Sequence, residues 1–339
     1  MKQYLNTLYV TTPESYLFKD GECVAIRQEG QVKGKIPVHT LGSLVLFGQV
    51  SCSPFLLGHC AENGVTVSWL TENGRFLAAM NGPVSGNVLL RREQYRQADD
   101  ATASARLARA FCIGKIVNCR TVLRRTARER PHPELSEAGN RLSQSLMRLK
   151  QDLPLDVVRG IEGEAANTYF GVFRHLLTEK SGAFTFNGRS RRPPRDAINC
   201  LLSFCYTLLA HDIRSALESA GLDPAVGFLH RDRPGRPGLA LDIMEEFRPY
   251  LVDRLVCTLI NRGQIRPEQF KKTESGAVRM KDELRREILL AWQNRKQETV
   301  LHPFLKEKMP IGLLWHMQAR LLARTLRGDQ ADYPPFVTR

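Results

Sequence analysis

The sequence predicts an α+β protein: a β-rich first domain over residues 1–88, built as a sheet sandwich, then an all-helical domain over 89–330. Three observations carry this. Short β-branched and aromatic runs recur up to residue 79, separated by turn dipeptides. After Val88 the apolar residues recur three and four apart, as on helices. Charge also changes: residues 1–88 hold six basic residues (Lys2, Lys19, Arg27, Lys33, Lys35, Arg75) against six acidic (Glu14, Asp20, Glu22, Glu29, Glu62, Glu72), so the whole net excess of +14 lies downstream.

The strands expected are Leu8–Thr12, Tyr16–Phe18, Cys23–Ile26, Leu44–Phe47, Val65–Trp69 and Arg75–Ala79, with turns at Asp20-Gly21, Asn63-Gly64 and Asn73-Gly74. Pro54 to Ala61 reads as a short helix between two strands, and residues 81–87 as the exit from the domain. Helices follow over 89–97, 104–126, 133–150 and 155–178, the break at Pro131-His132-Pro133 separating the second from the third. Residues 184–195 form an irregular basic segment. Helices are then expected at 196–220, 239–260, 282–297 and 310–327, with a small hairpin within 270–280. Residues 331–339, Pro-rich and aromatic, are expected to be a flexible tail.

The 339 residues are 42% hydrophobic and 25% charged, ordinary for a globular chain with a substantial core. The longest mostly apolar run, 198–210, is too short to span a bilayer and carries Asn199, Ser203 and Thr207. The first residues lack a charged-then-apolar signal pattern, so a cytoplasmic protein is expected. Eight cysteines include no C-x-x-C pair, which argues against a zinc ribbon and for reduced, mostly buried thiols. A neutral first domain followed by a strongly basic one points to a polyanionic partner, nucleic acid above all, with a merely solvated basic surface as the alternative.

Residues 228–248, FLHRDRPGRPGLALDIMEEFR, place one histidine ahead of an Arg/Pro/Gly loop and a helix with paired acids. Asp242 and Glu245, three apart, share a face of that helix; Glu246 points elsewhere and is expected in solvent. In the helix over 155–177, Glu162 stands at the edge of the face made by Val158, Ile161, Ala165, Tyr169, Phe173 and Leu176. Gly163 follows it, tolerated inside a helix where something approaches the backbone closely. Taken alone, Glu162 reads as a solvated edge residue and His230 as a structural loop histidine. One imidazole with two or three carboxylates suits Mn2+ or Mg2+ better than zinc, which recruits more His or Cys. Arg231, Arg233 and Arg236 surround His230, and Arg189, Arg191, Arg192 and Arg195 lie upstream; guanidinium forks grip phosphates. Together these suggest a metal acting on a phosphodiester of double-stranded DNA.

The other histidines, including His132 and His175, lack paired carboxylates in sequence and read as surface or satisfied core residues. No glycine-rich phosphate loop, H-E-x-x-H or G-x-S-x-G is present, so ATP use and serine hydrolysis are unsupported.

The segments GIEGEAANTYF (160–170), RSRRPPRDAINCLLSFCYTLL (189–209), GFLH (227–230) and LALDIMEEFRP (239–249) together resemble the CRISPR-associated integrase/endonuclease family, the catalytic subunit of spacer acquisition. VHTLGSLVLFGQV (38–50), NGVTVSWLTENGRFLA (63–78) and GPVSGNVLLRREQYR (82–96) resemble the same family, so the likeness runs through nearly the whole chain. Its length and basic Arg-Pro-Pro segment are most similar to the type I-C branch.

The resemblance implies a β-rich domain used for homodimerisation and a helical catalytic domain with one Mn2+ or Mg2+ site. The family's glutamate corresponds to Glu162, its loop histidine to His230 and its second acidic helix position to Glu245, with Asp242 supporting. The reaction implied is attack of a protospacer 3′-hydroxyl on a phosphate of the CRISPR repeat, with a small ferredoxin-like adaptation protein as companion. Whether His230 is a ligand or moves a proton stays open. Two other readings remain: a structure-specific repair nuclease cleaving branched DNA, and a non-catalytic scaffold that binds DNA ends.

Overall fold

The structure, a computed structural model, describes residues 6–72, 76–80, 82, 88–178, 182–191 and 193–338. The chain divides into two compact units: residues 1–86, 285–300 and 308–314 form one, and 87–284, 301–307 and 315–339 the other.

In the first unit the chain runs through β1 (Thr7–Val10), β2 (Tyr16–Asp20), β3 (Cys23–Gln28), β4 (Gln31–Pro37), β5 (Ser43–Phe47), β6 (Ser51–Cys52), α1 (Pro54–Glu62), β7 (Thr66–Leu70) and β8 (Phe76–Met80). One sheet has the order β1-β5-β7-β8, parallel except for β8; the other has the order β4-β3-β2-β6. Val10, Leu44, Leu46 and Val67 of the first sheet share a buried core with Leu17 and Val24 of the second and with Leu56 and Cys60 of α1. The Asp20-Gly21 and Asn63-Gly64 turns form as expected, each glycine in the left-handed region. The Asn73-Gly74 turn lies outside the described residues.

β4 and β6 were not predicted. β4, QVKGKIP, is an edge strand with most of its residues exposed, so no buried face imposes apolar alternation on it. β6 is only two residues long.

The helical region begins with α2 (Val88–Asp99), α3 (Ala101–Glu129), α4 (Pro133–Arg148), α5 (Leu155–Gly171), α6 (Ala197–Ser219), α7 (Gly238–Phe247) and α8 (Arg254–Asn261), followed by the hairpin β9 (Phe270–Lys272) and β10 (Val278–Met280). Asp100 caps α3 through the amide of Ala103, and Asp196 caps α6 through that of Asn199. The single helix expected over 239–260 is broken. Pro249 cannot donate to an α-helical ladder, and residues Arg248–Asp253 widen into a π-helical turn between α7 and α8.

Helices α9 (Asp282–Gln297) and α10 (Leu314–Leu326) complete the chain. Residues 285–300 were expected in the helical domain but belong to the first unit, where Gln293 Nε2 donates to the Thr7 carbonyl at 3.0 Å and Trp292 is fully buried. Helical periodicity fixes which face of a helix is apolar, not which core receives it. The expected boundary after residue 88 adjoins residues 83–87, which lie outside the described set.

The tail also differs from expectation. Tyr333 and Phe336 are buried, and Phe336 stacks on Phe247 with ring centres 5.0 Å apart. Tyr333 Oη donates to Glu246 Oε1 at 2.7 Å, the Phe336 amide donates to Glu246 Oε2 at 2.6 Å, and the Thr338 amide donates to Asn118 Oδ1 at 2.8 Å. Glu246, read from sequence as solvent-facing, is therefore 0% exposed. The DYPPF segment offers two buried aromatic side chains and a backbone amide, that of Phe336, which meets that carboxylate. No helix among the described residues is long and apolar enough to cross a membrane.

Candidate active site

Two helices and one loop bring the sequence-nominated residues together, and a third helix adds a lysine. Helix α3 contributes Lys115, α5 contributes Glu162, α7 contributes Asp242 and Glu245, and the loop before α7 contributes His230. The loop is fixed at its start by Gln94, whose amide group donates to the carbonyls of Asp223 and Val226 at 2.8 Å each and accepts from the Asp223 amide. Ser104 Oγ donates to the Phe228 carbonyl, and Arg159 Nε to that of Leu229.

Asp242 organises the loop's far end. Fully buried, it accepts from the backbone amides of Phe228 (2.6 Å), Leu229 (3.0 Å) and His230 (3.0 Å), and from the ring Nδ1 of His230 (2.6 Å). Gly227 makes this possible: a Cβ there would lie 2.6 Å from the Gly238 carbonyl carbon and 2.8 Å from Asp242 Oδ2. A carboxylate that takes three backbone amides accepts from the ring as well, so His230 Nδ1 donates to Asp242 and Nε2 is the nitrogen turned toward the site. Nε2 stands 4.0 Å from Glu245 Oε1.

Glu245 and Glu162 converge on the ammonium of Lys115. Lys115 Nζ is 2.7 Å from Glu245 Oε2 and pairs directly with Glu162 Oε1. Arg248, the first residue of the π-turn, brings Nη2 to 3.3 Å from Glu245 Oε1 and lies over the Tyr206 ring. Burial by itself would push the Glu245 carboxyl up; Arg248, Lys115 and His230 outweigh it and hold the group at about 2. Burial would likewise lower the Lys115 ammonium, but Glu245 and Glu162 reverse the shift, and it is raised. Both groups are therefore charged at neutral pH.

The site thus holds a cation of the protein's own where two carboxylates meet. Glu245 Oε2 is buried and, though close to Lys115, has no well-aligned hydrogen-bond donor. Two carboxylates, one with a buried oxygen lacking an aligned donor, and an imidazole Nε2 fit a divalent cation; the Asp242–His230 pair is the kind that orients a metal-binding imidazole. Among the described residues, the His, Cys, Asp and Glu side chains whose ligand atoms already lie within 4.8 Å of one another are a different set: His132, Glu134 and His175.

The proposed DNA-binding arginines differ in what they do. Arg191, Arg195, Arg231 and Arg233 are exposed, Arg231 pairing with Asp156 at 2.8 Å, and Arg236 is half-buried. Arg189 is engaged internally: it donates to Asn199 Oδ1 at 2.6 Å and to Ser203 Oγ at 3.1 Å, and lies over the Tyr206 ring. Arg192 lies outside the described residues. A cavity of about 660 Å³ is lined by Lys115, Arg174, Arg189, Arg191 and Arg248 among others.

Sequence reasoning missed Lys115, Arg248, Asn118 and Asp253. Lys115 left a trace: it interrupts the stripe Phe111, Cys112, Ile116 and Cys119, a charge on an otherwise buried face. A buried lysine needs a partner. A Cβ on Gly163 would meet nothing within 4 Å, so no part of the chain accounts for that glycine.

The model of the family "CRISPR associated protein Cas1" matches residues 8–294. A relative from Chlorobaculum tepidum, named CRISPR-associated endonuclease Cas1 1, is 59% identical over 100% of both chains. One from Rhodospirillum rubrum, CRISPR-associated endonuclease Cas1 2, is 51% identical over 99% of both. Among solved structures, a Cas1 protein from Thermotoga maritima superposes with TM-score 0.83 at 22% identity, covering 98% of this chain and 100% of that one, a likeness of fold. A chain of a partial Cas6-RT-Cas1–Cas2 complex superposes with TM-score 0.67 at 26% identity, covering 98% of each. Endonuclease relatives imply a divalent-metal requirement, which the donor set around Glu245 suits. The match of the family model across most of the chain, with full-length relatives above half identity, establishes that this chain belongs to the CRISPR-associated Cas1 family.

Proposed function

We infer that Glu162, His230 and Glu245 carry the chemistry of a DNA integrase, with Asp242 as the group that positions His230. The protein is a CRISPR-associated DNA endonuclease/integrase by family. The observation that carries the residue assignment is the meeting of Glu162 and Glu245 on one buried cation, with the His230 Nε2 4.0 Å from Glu245.

In the reading proposed, Glu162, Glu245 and the Nε2 of His230 hold Mn2+ or Mg2+. When bound, that ion polarises the scissile phosphate and offsets charge on the leaving oxygen. Asp242 keeps the His230 proton on Nδ1, so Nε2 can face an ion or accept a proton from an attacking hydroxyl. The 3′-hydroxyl of a protospacer end bonds to the repeat phosphorus as the repeat's own bridging oxygen leaves. One phosphodiester replaces another, so no ATP is needed. Arg248 and Lys115 keep Glu245 ionised, and Arg191, Arg195, Arg231, Arg233 and Arg236 hold the duplex backbone with little base readout.

The same reading includes a homodimer formed through the β-rich unit and a small ferredoxin-like companion. It is supported by the likeness to a chain of a Cas6-RT-Cas1–Cas2 complex. A cytoplasmic setting suits eight free thiols. Placement in the type I-C branch rests on length and the Arg192-Pro193-Pro194 segment.

The test is strand transfer. A labelled protospacer with free 3′ ends is mixed with supercoiled repeat plasmid and the companion protein, with Mn2+ or EDTA. Wild type with Mn2+ should give joined product, and His230→Ala should give none while still binding duplex. Joining by His230→Ala at wild-type rate would remove His230 from the chemistry. Binding without joining by wild type would favour a scaffold, and branch cleavage far faster than joining a repair nuclease.

A further inference from the structure

Two histidines that the sequence leaves unremarkable come together with a glutamate away from the site above. His132 sits between Pro131 and Pro133, in the break between α3 and α4. The following proline holds it extended (φ −147°, ψ 130°), and its Nδ1 caps α4 by accepting from the Glu134 amide at 3.3 Å. Glu134 is in the first turn of α4. His175 lies in the short 3₁₀ turn Phe173–Leu176 that follows α5.

The rings of His132 and His175 are 3.9 Å apart, His175 Nε2 is 3.0 Å from Glu134 Oε2, and one ligand atom from each residue falls within 4.8 Å of the others. We propose that His132, Glu134 and His175 form a second metal site, selective for a zinc-class ion. The proposal shares no residue with the integrase assignment and does not rest on it.

The chemistry of the donors sets the ion. Two imidazoles and one carboxylate suit zinc, cobalt or nickel, with a fourth position for water. They do not suit Mg2+, which keeps oxygen ligands and near-octahedral geometry.

The scaffold on both sides is fixed. Arg130 donates to the carbonyls of Leu176 and Leu177 at 3.2 and 3.1 Å. Asn261 donates to the Leu176 carbonyl at 2.9 Å and accepts from the Thr178 amide at 2.8 Å. His175 Nε2 and the Arg174 guanidinium already face the Glu134 oxygens, so the carboxylate is turned into the cluster.

Arg174 is the competing cation. Its Nη2 lies 3.1 and 3.2 Å from the two Glu134 oxygens, and its Nε donates to His175 Nε2 at 3.3 Å. The arginine side chain is 59% exposed, so this pair is screened and weakly held. It already lines the 660 Å³ cavity, into which it can turn when an ion takes its place. His175 Nε2, which faces both Glu134 and Arg174, is the nitrogen the ion would use. His132 would give up its weak cap or present its other nitrogen.

The test uses the full chain carrying Glu162→Gln and His230→Ala, which removes donors of the integrase site. Titration with Co2+ should give one equivalent bound at micromolar concentration, a visible d–d absorption band, and displacement by Zn2+. Adding His132→Gln or His175→Gln should abolish the band, and Glu134→Gln should weaken it, with unchanged far-ultraviolet circular dichroism. In wild type, the same band should persist under excess Mg2+, which cannot compete for two imidazoles. Absence of a band in both proteins, or a band that survives His132→Gln and His175→Gln, overturns the proposal and leaves the cluster an ion-pair staple.

Discussion

Asp242 accepts four hydrogen bonds without meeting solvent, and each donor belongs to the loop that carries His230. Asp242→Ala would leave three backbone amides unpaired, at about 1–3 kcal/mol each, so roughly 3 kcal/mol or more of stability should be lost. Urea midpoints would measure it. A loss below about 1 kcal/mol would mean the loop keeps its shape without the carboxylate.

Lys115 poses the opposite problem, a charge whose removal leaves two carboxylates facing each other. Lys115→Met should destabilise the metal-free protein by about 3–5 kcal/mol, the usual cost of breaking a buried ion pair. Added Mn2+ should then raise the melting temperature of Lys115→Met more than that of wild type. Equal shifts in a thermal scan would place the ion elsewhere.

Among elements, the π-turn Arg248–Asp253 has the most to say about pH. Asp253, at its end, is buried and accepts from Tyr206 Oη; burial pushes its carboxyl up to about 6. Its folded value lies above the unfolded 3.8, so it costs nothing below about pH 4. The cost grows as pH rises and is fully present above about pH 6, on the order of 3 kcal/mol. Asp253→Asn keeps an acceptor for Tyr206 and should flatten the fall in stability between pH 4 and 6; an unchanged slope in denaturation at several pH values would assign the fall to other groups.

This turn also shows where sequence reading stops. Periodicity located α7 and α8 and the pair Asp242/Glu245, because 3.6-residue spacing depends on local geometry alone. Pro249 was visible, yet whether it ends, kinks or widens a helix is decided by what packs around it. Glu162 and His230 were legible through their neighbours and the family likeness. Lys115 and Glu246 were not: each is a buried charge whose partners lie far along the chain, 47 residues to Glu162 for the first and 87 to Tyr333 for the second. The same holds for His132 and His175, which nothing in the sequence brings together.

At the scale of the whole molecule, residues 331–339 matter more than their composition suggests. Tyr333 and Phe336 bury their rings, and burying one such side chain contributes about 1.5–3 kcal/mol. A chain ending at Gln330 should therefore unfold at lower urea, with a deficit on the order of 4 kcal/mol. It should also lose strand-transfer activity, because Glu246 adjoins Glu245 on α7. A truncated protein as stable and active as the full chain would show that the strap is dispensable.

The strap also sets a clock on assembly. Asn118, on α3, bonds the Phe336 carbonyl and the Thr338 amide, 218 and 220 residues downstream. At ribosomal rates of about 5–20 residues per second, α3 leaves the ribosome roughly 10–40 s before that partner exists. For that interval the nascent helix presents Asn118 to water; Glu246, 87 residues before Tyr333, waits roughly 4–18 s at the same rates, and the wall behind Glu245 closes last.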